Sequence, residues 1–231
     1  MFDAVRPWLG GERSLAKLNS FAAERNLRTE SGKSVRFVPP RAKDAYYELT
    51  VYRTGEVETR PDSLHDFFNA LAWLAFPRAK ARLNALHAAE IPREGGRRGR
   101  LRDLLTIFDE GGAIVLCDQP DLLSLLQAMQ WKELFWKQRE RVRREMRILV
   151  FGHAVMEQAL KPWPGITCKA IALPARADPD AAVHAWLGTL QPGASPRDLA
   201  PLPVFGFPGW LAQDEAFYDD TRYFRPWRPD S

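Results

Sequence analysis

The chain has 231 residues, of which 45% are hydrophobic and 11% aromatic, and its formal net charge is +4. This composition is typical of a globular protein with a substantial core and excludes a mainly disordered chain. No apolar run reaches the roughly 18 residues that suggest a membrane span, and the N-terminal residues lack the apolar core of a secretory signal. We therefore expect a cytoplasmic protein without a membrane partner. The sequence does not indicate its oligomeric state.

The first quarter of the chain is predicted to form a helical lead-in followed by a hairpin. Residues 1–44 combine short helical patterns with a proline-containing loop, which indicates a loosely helical segment. Residues that suit strands lie on both sides of Arg53, Thr54 and Gly55. We therefore expect residues 46–60 to form a first β-hairpin.

A strongly apolar helix follows this hairpin. Its buried face is predicted from apolar residues that recur at three- and four-residue spacing, namely Leu64, Phe67, Phe68, Leu71, Leu74 and Ala75. Ser63 and Asp66 have the spacing of a capping box, which places the start of the helix. Pro77 ends or kinks this helix, and a second helix is predicted for residues 78–88.

The rest of the chain adds shorter elements. The patterns predict a basic glycine-containing loop at 90–102, a second hairpin at 104–117, a helical stretch at 120–160 with a break at Gly152, a strand at 166–173 and a helix at 180–190. Cys117 and Cys168 lie in apolar runs and lack metal-binding or redox spacing. We expect both to be buried free thiols.

This order of elements favours a helix-dominated α+β fold with two short β-hairpins. Strands and helices do not alternate regularly, as they would in a parallel α/β sheet. We expect a lead-in at residues 1–44, one main domain at 45–200, and an aromatic- and proline-rich extension at 201–231 that packs on the domain.

Polar side chains share faces of the two helices predicted around Pro77. His65 and Asn69 are four residues apart on the first helix, and Lys80, Asn84 and His87 share a face of the second. These rows could converge on a substrate, and the first turn of a helix also favours an anion. The alternative is that Asn69 binds a loop carbonyl and His87 is exposed at a helix end.

A second candidate site follows Gly152. His153 and Glu157 are four residues apart on a predicted helix, a spacing suited to a shared divalent metal ion or to a general-base pair. If this helix packs on the one that carries His65 and Asp66, two imidazoles and two carboxylates meet. The alternatives are a surface contact between His153 and Glu157 and a purely capping role for Asp66.

Charged residues elsewhere add candidates for substrate contacts. Arg98 and Arg102 lie in the basic loop and could bind an anionic substrate or nucleic acid. Asp219 and Asp220 form an acidic pair among aromatic residues, where they could contact a substrate, supply a third carboxylate ligand, or act as a turn cap paired with Arg222 or Arg225. The basic residues at 139–147 are interrupted by glutamates, so we interpret them as the solvent-exposed face of a helix with ion pairs.

Several separated motifs resemble one protein family. In chain order they are His65-Asp66-Phe67-Phe68-Asn69-Ala70-Leu71, Phe76-Pro77-Arg78, Arg102-Asp103, Phe108-Asp109-Glu110, Phe151-Gly152-His153-Ala154, Tyr218-Asp219-Asp220 and Tyr223-Phe224-Arg225-Pro226. Over residues 45–228 this set resembles the proteobacterial domain-of-unknown-function family numbered 3025. The resemblance implies a bacterial source and a single family domain, and it implies no reaction, cofactor or catalytic residue.

The candidate residues favour metal-assisted hydrolysis of a phosphate-containing substrate, such as a nucleotide or nucleic acid. This hypothesis assigns metal binding to His65, Asp66 and His153, catalytic roles to Glu157, Arg102 and Lys80, and substrate contacts to Asn69, Asn84, His87, Arg98, Asp219 and Asp220. The cofactor is unknown from the sequence, and a divalent metal ion is the one that these residues favour.

Two other hypotheses stay open. In the first, the histidines and carboxylates form a structural network in a non-enzymatic module that binds nucleic acid or an acidic protein surface. In the second, the aromatic tail packs against a partner chain. The distance between His65 and His153 tests the metal hypothesis, because more than about 10 Å between them would exclude one shared ion whose ligands lie near 2 Å from it.

Overall fold

The computed structural model describes residues 3–10, 13–41, 46–94, 97–211 and 213–226. About 52% of the described residues are helical and 13% are strand, and the elements form one α+β domain. The predicted helix-dominated fold class is therefore confirmed. Within the described residues, no helix combines the length and the apolar composition that crossing a membrane requires.

Ten α-helices and six strands are present in the described residues. The helices are α1 (Arg6–Leu9), α2 (Leu15–Glu24), α3 (Tyr47–Thr54), α4 (Leu64–Ala75), α5 (Pro77–Glu90), α6 (Arg100–Gly111), α7 (Pro120–Gln127), α8 (Arg139–Glu145), α9 (His153–Gln158) and α10 (Pro179–Thr189). The strands are β1 (Arg36–Val38), β2 (Glu56–Glu58), β3 (Gly112–Leu116), β4 (Arg147–Val150), β5 (Thr167–Leu173) and β6 (Ala200–Pro203).

The larger sheet has the strand order β4-β3-β5-β6. β3 pairs antiparallel with β4 and parallel with β5, and β5 pairs antiparallel with β6. Pro201 and Pro203 lie on β6, at the edge of the sheet, where a missing N–H group removes no ladder hydrogen bond. The smaller sheet consists of the parallel pair β1 and β2.

Both faces of the larger sheet are covered. Alternate residues of β3 belong to two apolar cores, with Ala113 and Val115 in the first and Ile114 and Leu116 in the second. Successive strand residues point to opposite faces, so the two cores lie on the two sides of the sheet. Side chains of α4 fill the first core, while those of α6 and α10 fill the second.

Neither predicted hairpin forms. In the first, residues 47–54 are the helix α3, which ends at Gly55 with a φ of +76°, and β2 pairs with the distant β1. In the second, the segment predicted as a strand at 104–109 lies inside α6. Leu101, Leu104, Leu105 and Phe108 recur there at helical spacing and are all buried.

The helix pair around Pro77 is confirmed. α4 begins after Ser63, whose hydroxyl accepts a hydrogen bond from Asp66 N at 3.1 Å. Only this half of the predicted capping box forms, because the Asp66 carboxylate binds Arg60 instead. Pro77 is the first residue of α5, as a missing N–H group allows.

The predicted helical stretch at 120–160 is wrong in one part. Residues 147–150 form β4, whose apolar residues Ile148, Leu149 and Val150 pair with β3. The break at Gly152 is confirmed, since α9 begins at His153. Both cysteines are buried and free, as expected.

The C-terminal segment is held on the domain by hydrogen bonds. The Tyr223 hydroxyl accepts from Phe205 N at 2.9 Å and donates to Ile166 O at 2.8 Å. The Trp131 indole N–H donates to Arg225 O at 2.9 Å. β6 itself belongs to the larger sheet, so the residues after 200 contribute to the core.

Substitution of Gly152 by alanine tests the close approach that places α9. A Cβ atom there would lie 2.4 Å from Glu110 O and 2.5 Å from Gly112 N, which are backbone atoms with little freedom to move. We expect G152A to lower the free energy of unfolding by about 1–3 kcal/mol in urea titrations. Gly111→Ala is the control, because nothing lies within 4 Å of its added Cβ. Equal stability of G152A and G111A would contradict this packing.

Candidate functional site

Five helices bring polar side chains together in one cluster. α4 packs against α9, α3 against α5, and α6 against both α5 and α9. We call the resulting set the polar cluster. Its members are Tyr47, Glu48, His65, Asn69, Lys80, Asn84, His87, Arg102, Asp109, His153 and Glu157, which are joined by hydrogen bonds, ion pairs or short-range electrostatic interactions.

A pair of histidines joins α4 to α9. His65 Nε2 lies 3.1 Å from His153 Nε2, with the ring centroids 4.5 Å apart and the rings at 70° to each other. His153 is buried, whereas the side chain of His65 is 39% exposed. The two histidines therefore meet at the surface end of the cluster, far inside the 10 Å limit for a shared ion.

The outer nitrogens of both rings face acceptors. His153 Nδ1 lies 2.8 Å from the carbonyl oxygen of Asp109, and His65 Nδ1 lies 3.3 Å from Glu157 Oε2. A carbonyl oxygen only accepts, so Nδ1 of His153 is assigned as protonated, and Nε2 of a neutral His153 ring then carries a lone pair that faces His65 Nε2 at 3.1 Å. This lone pair can accept an N–H from His65 or bind a metal cation.

A buried ion pair lies beside the histidines. The Lys80 ammonium is bound to the Asp109 carboxylate and donates to Asn69 Oδ1 at 2.9 Å, and the side chain of Lys80 is 3% exposed. Asn69 in turn donates to the Tyr47 hydroxyl at 3.2 Å. Burial opposes ionisation of Asp109, but Lys80 and His153 outweigh it and hold the pKa of Asp109 below its ordinary value.

A second group of polar residues lies on α3, α5 and α6. Asn84 Nδ2 donates to Glu48 Oε2 at 2.7 Å, and burial together with the charge of Asp109 raises the pKa of Glu48 to about 7. Arg102 donates to His87 Nδ1 at 3.4 Å, so this nitrogen carries the lone pair. Burial lowers the pKa of His87 to about 4.

A family model described as "Protein of unknown function (DUF3025)" matches residues 35–228. The chain belongs to this family. The match confirms the resemblance seen in the sequence motifs, and the family description assigns no activity. No curated protein and no solved structure matches the chain.

In this family member, the cluster contains many of the residues predicted from the sequence. They are His65, Asn69, Lys80, Asn84, His87, Arg102, His153 and Glu157. Glu157 lies 3.3 Å from the outer nitrogen of His65. Within the described residues, no group of three or more His, Cys, Asp or Glu side chains has the arrangement of a complete metal site.

Other predicted residues have different partners. Both oxygens of Asp66 accept from the Arg60 guanidinium, at 2.7 and 2.8 Å. Asp219 binds Lys132, and Asp220 binds Arg222 next to it, as the turn-cap alternative described. Arg98 is half-exposed and lies 3.9 Å from Asp103, with its charge still reaching His87. Residues 95 and 96 of the predicted basic loop lie outside the described residues.

Sequence reasoning missed three members of the cluster. The sequence pattern places Tyr47 and Glu48 in a hairpin strand. It therefore does not reveal that they lie on a helix, α3, that packs on α5. Asp109 was also placed in a strand. It lies seven residues after Arg102, so a helical reading of that segment would have put both on one face.

The pH dependence of stability tests the burial of His87. Its folded pKa is about 4, against about 6.5 in the unfolded chain. Between these values the unfolded state binds more protons, so His87 contributes stability above pH 6.5 that is lost as pH falls towards 4. The slope is about 1.4 kcal/mol per pH unit for one proton. We expect the free energy of unfolding of the wild type to fall more steeply than that of His87→Gln over this range.

The control for this comparison is the range from pH 8 to 9. There His87 is neutral in both states, so the wild-type and H87Q curves of unfolding free energy should run parallel. Curves that stay parallel from pH 8 down to pH 4 would show that His87 is not buried in neutral form.

Proposed function

We propose that this protein is a metal-assisted hydrolase whose substrate contains phosphate, such as a nucleotide or nucleic acid. One observation carries the proposal. The Nε2 atoms of His65 and His153 converge at 3.1 Å while the Nδ1 atom of each ring faces an acceptor. In metal sites, the histidine ligands usually donate their other ring N–H to a carboxylate or a backbone carbonyl.

The separation of the two nitrogens suits one ion. With metal–nitrogen bonds of 2.0–2.1 Å, two ligands at a tetrahedral angle lie about 3.3–3.4 Å apart. The observed 3.1 Å needs only a small adjustment of either ring. His65 and His153 would bind the ion directly, and Glu157 would hold the His65 ring.

The remaining coordination positions would take water and substrate oxygen. A bound divalent ion lowers the pKa of a coordinated water and polarises a phosphoryl oxygen, which are the two contributions that phosphoester hydrolysis requires. The side chains of His65 and Glu157 are 39% and 40% exposed, so a substrate can reach the ion from this side.

The cationic residues of the cluster have positioning roles in this proposal. Lys80 is paired with Asp109, and Arg102 is paired with Glu94 at 2.6 Å. Because both charges are neutralised, neither is free to bind a phosphate group. Lys80 holds Asp109, whose carbonyl oxygen orients His153. The half-exposed Arg98 is one cation that would contact an anionic substrate.

Metal binding can be measured without an activity assay. We expect the purified protein to bind one Co²⁺ or Zn²⁺ ion in isothermal titration, with the visible spectrum of Co²⁺ reporting nitrogen ligation. His65→Ala and His153→Ala remove ligands and should lower affinity at least 100-fold. Glu157→Gln should cost about 10–100-fold, as the loss of an orienting partner does.

His184→Ala is the matched control for metal binding. His184 contacts Glu30 at 3.1 Å, away from the polar cluster. Its removal should leave metal affinity unchanged. If H65A, H153A and H184A all bind the metal with wild-type affinity, the metal proposal fails. His65 and His153 then share a proton instead.

Hydrolysis is tested with the metal-loaded protein. We expect it to cleave bis(p-nitrophenyl) phosphate or p-nitrophenyl phosphate, to lose this activity with a chelator, and to regain it with added Zn²⁺ or Mn²⁺. H65A and H153A should lose more than 99% of the activity, and H184A should keep it. Stoichiometric metal binding without turnover on phosphomonoesters, phosphodiesters and nucleotides would refute the hydrolase.

The internal pairing of the cluster favours one other candidate function. Lys80 and Asp109 neutralise each other, and so do Arg102 and Glu94. A structural network within a binding module would have such internal pairs. Salt-sensitive binding of nucleic acid that survives both H65A and H153A would support that function.

A further inference from the structure

An acceptor without a hydrogen-bond donor lies where α3 packs on α5. Asn84 is 2% exposed, and its Nδ2 donates to both the carbonyl oxygen and the carboxylate of Glu48, at 2.9 and 2.7 Å. Its Oδ1 atom is buried and has no hydrogen-bond partner. We call these two residues the Glu48–Asn84 subsite.

Two atoms of this subsite lack a hydrogen bond, and both are acceptors when Glu48 is ionised. Asn84 Oδ1 is buried without a partner. Glu48 Oε1 is the other, since Asn84 donates to Oε2 and no hydrogen bond within the described part of the chain reaches Oε1. The nearby cations are engaged elsewhere, Lys80 with Asp109 and Arg102 with Glu94. A ligand for the subsite must therefore donate hydrogen bonds.

The acceptor that Glu48 offers is a carboxylate, which favours a donor that is also positive. Around it, Asp109 and Glu94 are paired with Lys80 and Arg102, and the charge of Arg98 also reaches Glu94. His87, also on α5, is buried and neutral near pH 7. Burial, and next the charge of Asp109, raise the pKa of Glu48 to about 7 against the opposing effects of Asn84, Lys80 and Arg102.

We propose that the Glu48–Asn84 subsite binds a primary ammonium group, and that the substrate is a phosphate ester that also carries a protonated amine. The phosphate half of this substrate class rests on the proposed function. The ammonium half rests on the subsite alone.

The subsite and the histidine pair belong to one connected network. Tyr47, next to Glu48, accepts from Asn69 at 3.2 Å, and Asn69 accepts from Lys80 at 2.9 Å. Lys80 binds Asp109, whose carbonyl oxygen contacts His153. The proposal assigns the phosphate of the substrate to the histidines and its amine to the subsite, at the two ends of this network.

Methylammonium is the probe for the ammonium site, with tetramethylammonium as its control. The two ions carry the same charge, but tetramethylammonium has no N–H group to donate. We expect methylammonium to cause saturable NMR shifts at the Glu48 carboxyl carbon and the Asn84 side-chain amide, with no metal present. Tetramethylammonium should bind at least tenfold more weakly.

The pH dependence identifies the carboxylate that is used. With a pKa of about 7, Glu48 is about 90% ionised at pH 8 and about 10% at pH 6, so methylammonium should bind about tenfold more weakly at pH 6. Glu48→Gln keeps an acceptor for Asn84 and should abolish this dependence and weaken binding at least tenfold. Glu24→Gln, an exposed site bonded to Ser20, should match the wild type.

Three results would overturn the proposal. They are equal binding of methylammonium and tetramethylammonium by the wild type, no shift at either residue up to 100 mM methylammonium, and a crystal soaked in methylammonium that shows an ordered water only at Asn84 Oδ1. All three use the wild-type protein, so instability of a variant does not affect them. They are also independent of metal binding and hydrolysis, so failure here is distinguishable from failure of the proposed function.

Discussion

The polar cluster depends on the buried ion pair between Lys80 and Asp109. A lone ammonium or carboxylate at this depth would carry a large desolvation cost, so each charge requires the other. The pair ties α5 to α6, and it leaves the Asp109 carbonyl oxygen where His153 on α9 can reach it. Asn69 on α4 completes the shell around the ammonium. The ion pair and its hydrogen bonds thus connect four helices that also pack through the apolar cores.

That arrangement also positions His153 next to His65. Two imidazole nitrogens at 3.1 Å need a proton or a cation between them, because two lone pairs at that distance repel each other. The Asp109 carbonyl oxygen sets the tautomer of His153, and Glu157 lies 3.3 Å from the outer nitrogen of His65. The outer neighbours of the two rings therefore bear on what lies between them, and His65 and Glu157 form the exposed side of the pair.

Local patterns in the sequence predicted the elements whose signals are short in range. The apolar period and Ser63 located α4, Pro77 located the start of α5, and Gly152 marked the beginning of α9. The two hairpins were wrong, because strand-forming residues at 47–54 and an apolar run at 104–109 became helical in contact with α5 and the sheet. β4 was missed because its partner, β3, lies more than 30 residues earlier. A pairing between distant strands produces no periodic pattern in the sequence of either strand.

The sequence by itself determined which residues could carry chemistry: His65, Asn69, Lys80, His153 and Glu157 were all identified from their spacing on helices. The tertiary structure alone decided how they are used. It turned Asp66 towards Arg60, gave Glu157 to the outer nitrogen of His65, and added Asp109 and Glu48 from segments that had been assigned to strands. The physical reason is the distance along the sequence over which each effect acts. Helical spacing is set by neighbours within a few residues, whereas the partner of a buried charge is whichever opposite charge the packing of distant helices brings within hydrogen-bond distance.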